Sequence, residues 1–173
     1  MRDFKQIVQN AKFVHGIALA DHNNNARAGD WVCMKNYGHL TVCIITGTIA
    51  AGADDMLVTL NQATSVAGAG AKNLLFREFW AGTHILTSDT AVRTASTTVA
   101  GPPVDSNFTI DNAGDDNMYF IEIHAEDLDV ENNFDCVQVA ISSPGANSAL
   151  YTAFYLLSSP RYVHETMPSA IIN

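Results

Sequence analysis

The sequence predicts an all-β fold, a single β-sandwich or barrel of jelly-roll type with about eight strands and an N-terminal arm. Three observations predict it. Short apolar segments rich in Val, Ile, Phe, Tyr and Thr recur along the chain, as half-buried strands require. Clusters of Gly, Asp, Asn and Pro separate them, which marks turns. Helical spacing of apolar residues is confined to one stretch near the N-terminus.

That stretch comes first. Over residues 3–14, Phe4, Ile7, Val8 and Ala11 share one face of a short helix. The irregular HNNNARAGD at 22–30 sets residues 1–25 apart as an arm from a β domain over residues 26–173. Strands are then expected at 31–35, at 39–50 (HLTVCIITGTIA) and at 56–63. In the last of these Met56, Val58 and Leu60 alternate with Leu57, Thr59 and Asn61. Further strands are expected at 74–80, 108–110, 118–124, 134–142 and 150–158, and one helical turn at 125–130. The clearest turns are GADD at 52–55, DNAGDDN at 111–117 and SPGAN at 143–147. The polar run TSDTAVRTASTTVAGPP, 87–103, is expected to be a long exposed loop.

The run QATSVAGAGAKNLLF, 62–76, raises the question of a phosphate cradle. A P-loop needs G-x-x-x-x-G-K-[ST] between a strand and a helix. Here Gly68 and Gly70 are two apart, Asn73 follows Lys72, and another strand comes next. The glycines serve a turn, where they tolerate positive φ.

Charge excludes one function class. Eighteen acidic residues against nine basic ones give a net charge of −9, and no Lys/Arg cluster exists to neutralise phosphates. No nucleic-acid partner is expected. No apolar run approaches the roughly 20 residues of a membrane span, and the N-terminus lacks a signal-peptide core. A soluble protein made in the cytoplasm, with no membrane partner, is the expectation.

Catalytic and metal chemistry find little support. Cys33, Cys43 and Cys136 form no CxxC pair and read as separate small core thiols. The six histidines (His15, His22, His39, His84, His124 and His164) stand singly. Asp127, Asp129 and Glu131 mimic the start of a calcium loop, but Gln138 takes the place of its bidentate Glu. No G-x-S-x-G elbow is present, and the paired carboxylates Asp54–Asp55 and Asp115–Asp116 fall in turns. No cofactor, no metal, no small-molecule substrate and no enzyme activity are expected.

Several segments together resemble a known group. WVCMKNYGHLTVCIITG (31–47) matches a scheme beginning V-D-M-x-N-Y, with Cys33 where the scheme has Asp. LNQATSVAGAGAKNLLF (60–76) matches Q-A-T-D-x-x-G-x-x-A-K, with Ser65 at the Asp. MYFIEIHAEDLDV (118–130), FDCVQVAIS (134–142) and LYTAFYLLSSPRY (150–162) match I-x-A-x-D-L-D, F-x-x-V and a terminal L-x-x-x-R-Y. In this order they resemble small β-rich virion structural proteins of tailed bacteriophages, over about three quarters of the chain.

The resemblance implies a capsid decoration (cement) protein on the outer capsid surface of the virion. Its partner would be the major capsid protein, and self-association, with a trimer favoured, is also implied. Two segments are the expected assembly contacts. The arm carries apolar Phe4, Ile7, Val8, Phe13 and Val14, which need burial against something. The 87–103 run offers Thr87, Arg93 and Thr97. The alternatives are a neck or tail component, or a receptor- or carbohydrate-binding module of a head or tail fibre. In that last case exposed aromatics such as Tyr37, Trp80 and Tyr162 would stack on sugars.

Overall fold

Strands dominate because the apolar residues alternate rather than recur at helical spacing. In the computed structural model, which describes residues 10–76, 78–82, 91–95, 107–111, 115–161 and 169–171, most of the described residues are strand and few are helical. In chain order the strands are β1 (Lys12–Asp21), β2 (Arg27–Ala28), β3 (Val32–Cys33), β4 (Tyr37–Ile49), β5 (Met56–Ala63) and β6 (Lys72–Asn73). They continue with β7 (Glu78–Gly82), β8 (Ala91–Ala95), β9 (Asn107–Ile110), β10 (Met118–His124), β11 (Cys136–Ile141) and β12 (Ala149–Pro160). Two short 3-10 turns, Ala125–Asp127 and Val130–Asn132, lie between β10 and β11.

The strands form two antiparallel sheets, as a β-sandwich requires. The first runs β1-β12-β4-β10-β7-β8. The second runs β2-β11-β5-β6, with β3 also on β11 and β9 also on β5. Between them Leu40, Val42 and Ile44 of β4, Ile121 and Ile123 of β10, and Tyr151, Tyr155 and Leu157 of β12 are buried. They meet Met56, Val58 and Leu60 of β5 and Val137, Val139 and Ile141 of β11 in one cluster. Each such aliphatic side chain contributes about 1.5–3 kcal/mol by leaving water.

Four expectations change. The helix expected over 3–14 is cut short: Asn10 is helical, and from Lys12 the chain is β1, paired with β12. Ile17 faces the core, and burying it required strand geometry rather than the 3.6-residue period. Much of the segment expected as an arm, 1–25, is therefore the edge strand of the first sheet; residues 1–9 lie outside the described residues. The expected strand 74–80 is split, because the chain leaves β6 in the second sheet and enters β7 in the first. Within the expected loop 87–103, Ala91–Ala95 is strand β8, paired with β7, and the rest lies outside the described residues.

The 62–76 run is a turn. Gly68 and Gly70 adopt φ of +77° and +65°, and the Gly68 N–H bonds the Ser65 carbonyl. Lys72 is paired with Asp129 and sits 4.1 Å over the Phe134 ring, so its charge is held by the protein itself.

Candidate assembly face

Ladder register fixes which side chains share a face, since directly opposed residues point the same way. Across the first sheet one row reads His15, Phe154, Cys43, Phe120 and Trp80, and Arg93 of β8 takes the next register position. The row below it reads Phe13, Leu156, Thr41 and Glu122. The row above reads Thr152, Ile45 and Met118. None of the row residues on β1, β12, β4, β10 and β7 belongs to the inter-sheet core, so they form the outward face. Phe154, Leu156, Phe120, Ile45, Met118 and Trp80 are each only partly buried there.

This sheet is thus apolar on both sides. Antiparallel sheets commonly keep one face for water and alternate accordingly. The strands LYTAFYLL and MYFI instead carry apolar residues at both parities. Cys43 lies in the middle of the row, 4% exposed, covered by its larger neighbours. Burial, then the charge of Glu122, pushes its thiol up to about 12, so it is an apolar filler and not a nucleophile.

A polar cluster closes one end of the face. The Nε2 of His39 lies 2.6 Å from Glu122 Oε2, and its Nδ1 lies 3.1 Å from Ser158 Oγ. The Thr41 hydroxyl donates to the same Glu122 oxygen at 3.0 Å, and the His124 ring packs 4.9 Å from the His39 ring. Serine, imidazole and carboxylate in sequence have the order of a hydrolytic relay. Here, however, the serine lies on a strand in the open face of a sheet. The cluster acts as a polar rim.

The sequence-expected contacts divide. Phe13 is half exposed on β1 opposite Leu156 and joins the outward face. Val14, opposite Tyr155, turns inward and packs against the core. Arg93 stands at the register position beside Trp80. Phe4, Ile7, Val8, Thr87 and Thr97 lie outside the described residues. Phe120, Phe154, Leu156, Ile45 and Met118 fall in segments that the sequence reading gives as strands without singling out either face. The signal was present in the unbroken apolar runs, which mark strands buried on both faces.

Elsewhere, the three thiols are buried, as expected, and Cys33 and Cys136 are ladder partners. Asp127 accepts the His124 N–H at 2.8 Å, and Asp129 holds Lys72 and Asn132, so two carboxylates of the would-be calcium loop are engaged locally.

No protein-family model matches the chain, and no curated protein matches it. Among solved structures it is similar to "Crystal structure of infectious bursal disease virus VP2 subviral particle", at 10% identity and a TM-score of 0.23. That alignment covers 88% of this chain and 42% of the other. A score this low carries no argument about fold or partner.

Proposed function

We propose that this chain is a non-enzymatic structural protein of a tailed-phage virion, which decorates and stabilises the capsid by binding across major capsid subunits. The observation that carries the reading is the outward face of the first sheet, apolar where a free antiparallel sheet is polar. A partly exposed apolar face of this kind fits a protein–protein contact. The acidic charge fits a partner other than nucleic acid. The sequence resemblance to small virion proteins points the same way. On this reading the protein resides on the outer capsid surface and associates with itself, with a trimer favoured.

The test uses particles lacking the protein. Added wild-type protein should co-sediment with them and restore their resistance to heat, and salt alone should not strip it, because the contact is largely apolar. Phe154→Glu and Phe120→Glu place a charge in that face and should abolish binding. Undiminished binding by both variants overturns the reading.

The pairing of Trp80 with Phe120 on the same face favours a second reading, a carbohydrate- or receptor-binding module, since adjacent aromatic rings suit sugar stacking. Particles lacking the protein separate the two. Fragile heads support decoration; intact heads that no longer adsorb support the receptor binder.

A further inference from the structure

We propose that Cys33, Asp135 and Cys136 form a binding site for a zinc-class divalent cation on the second sheet, away from the outward face described above. The register builds it. Cys33 stands directly opposite Cys136 in the β3–β11 ladder. The Cys33 N–H is given to the Ala170 carbonyl at 2.6 Å, and the Met34 N–H to the Asp135 carbonyl at 2.7 Å. The ladder bonds therefore flank the cysteine pair instead of joining it, which makes it the close, non-hydrogen-bonded type in which side chains approach most nearly.

The donor atoms are already gathered. Both sulfurs and a carboxylate oxygen of Asp135 lie within 4.8 Å of one another. The Cys136 sulfur is 3.2 Å from Asp135 Oδ1. A tetrahedral ion with metal–sulfur bonds of about 2.3 Å holds its sulfurs about 3.8 Å apart, so small side-chain adjustments suffice. Two thiolates and a carboxylate are ligands that zinc accepts, whereas magnesium and calcium prefer all-oxygen sets. A carboxylate beside a thiol pair is poorly suited to an inert apolar core, and it is well suited to a cation.

The surroundings support the assignment. Trp31, Val66 and Ala63 pack around the two cysteines as an apolar shell. Asp135 also lines a surface cavity of about 230 Å³, which neither cysteine lines. Binding the cation displaces both thiol protons to solvent, and the three ligands leave one position for water. No electron transfer is involved.

The test is a cobalt titration of the full-length protein in a phosphine reductant. One equivalent should produce thiolate-to-cobalt charge-transfer absorption, zinc should displace it, and zinc should raise the melting temperature where magnesium does not. Cys33→Ser and Cys136→Ser should each abolish the absorption. Asp135→Asn should weaken affinity by at least about tenfold, and Cys43→Ser should leave it unchanged. Should a serine variant fail to fold, Asp135→Asn and Cys43→Ser still decide the matter. A reduced wild-type chain that takes up no cobalt overturns the site, including the case in which the pair forms a disulfide instead. Equal cobalt affinity in the wild-type and Asp135→Asn chains overturns it as well.

Discussion

The Tyr155 hydroxyl accepts the backbone N–H of Val139 at 2.9 Å, so a side chain of one sheet completes the backbone bonding of the other. Tyr155 lies on β12 and Val139 on β11, and both are fully buried. Gly16 and Gly29 leave room for this ring: a Cβ on Gly16 would stand 2.9 Å from Tyr155 Cε2, and one on Gly29 would stand 2.8 Å from the hydroxyl. Tyr155→Phe leaves the Val139 N–H buried without a partner. The expected cost is about 1–3 kcal/mol. The Tyr151 hydroxyl of the same strand is buried with no hydrogen-bond partner among the described residues, so Tyr151→Phe should be nearly neutral or slightly stabilising. Urea melts of the two variants check the contrast. Equal losses would count against the inter-sheet bond.

The turn between β5 and β6 gives a second prediction. Gly68 holds a φ of +77°, and a Cβ there would meet Trp31 Nε1 at 2.8 Å. Gly68→Ala suffers both the strained backbone and the clash, so a loss of about 1–3 kcal/mol is expected. Gly70 also has positive φ, but a Cβ there would meet nothing closer than Phe134 Cζ at 3.9 Å. Gly70→Ala should therefore cost less than Gly68→Ala, and thermal melts of the pair measure the difference.

A third prediction concerns acid. The hydrogen bond from Lys72, and then that from Asn132, hold the Asp129 carboxyl below its ordinary range. A carboxyl with a depressed folded-state value contributes stability above its unfolded value, near 3.9, and loses it as the pH falls through the folded value. Asp129→Asn should thus be less stable than wild type at neutral pH, and the gap should narrow as the pH falls below the unfolded carboxyl value near 3.9. The pair is solvent-exposed, so added salt should narrow the gap at neutral pH too. A gap that persists unchanged into acid would assign the effect to something other than this ion pair.

Strand content was legible because β-branched runs and turn residues carry it locally: β4, β5, β10, β11 and β12 lie where periodicity places them. β1 was not, because its first residues also fit a helix, and only pairing with β12 across the whole chain decides between them. β8 was hidden inside the Thr/Ser-rich passage 87–103, and the break between β6 and β7 by the apolar run at 74–80. The Cys33–Cys136 pair was invisible for a different reason. Spacing rules detect ligands on one turn or hairpin, whereas these residues meet through a ladder between distant strands. The outward face was half legible: Phe13 was singled out, while Phe154 and Phe120 were read only as strand residues because linear sequence does not say which parity faces inward.

The last prediction separates the role of β1 in folding from its role in assembly. Removing residues 1–20 strips nearly all of β1 from the sheet, exposes the edge of β12 and deletes Ile17, which is 4% exposed. Losing an Ile of that burial alone costs about 2–5 kcal/mol, and an uncovered edge strand invites aggregation. The truncated chain should melt well below the full chain, so its failure to bind a particle would say nothing about contacts. Phe13→Glu asks the cleaner question, since Phe13 is 50% exposed and points away from the core. Its melt should stay within about 0.5 kcal/mol of wild type. Binding to particles should fall sharply if β1 contributes to the docking face. Unchanged binding with an unchanged melt would confine β1 to a structural role, leaving the contact to β12, β4 and β10.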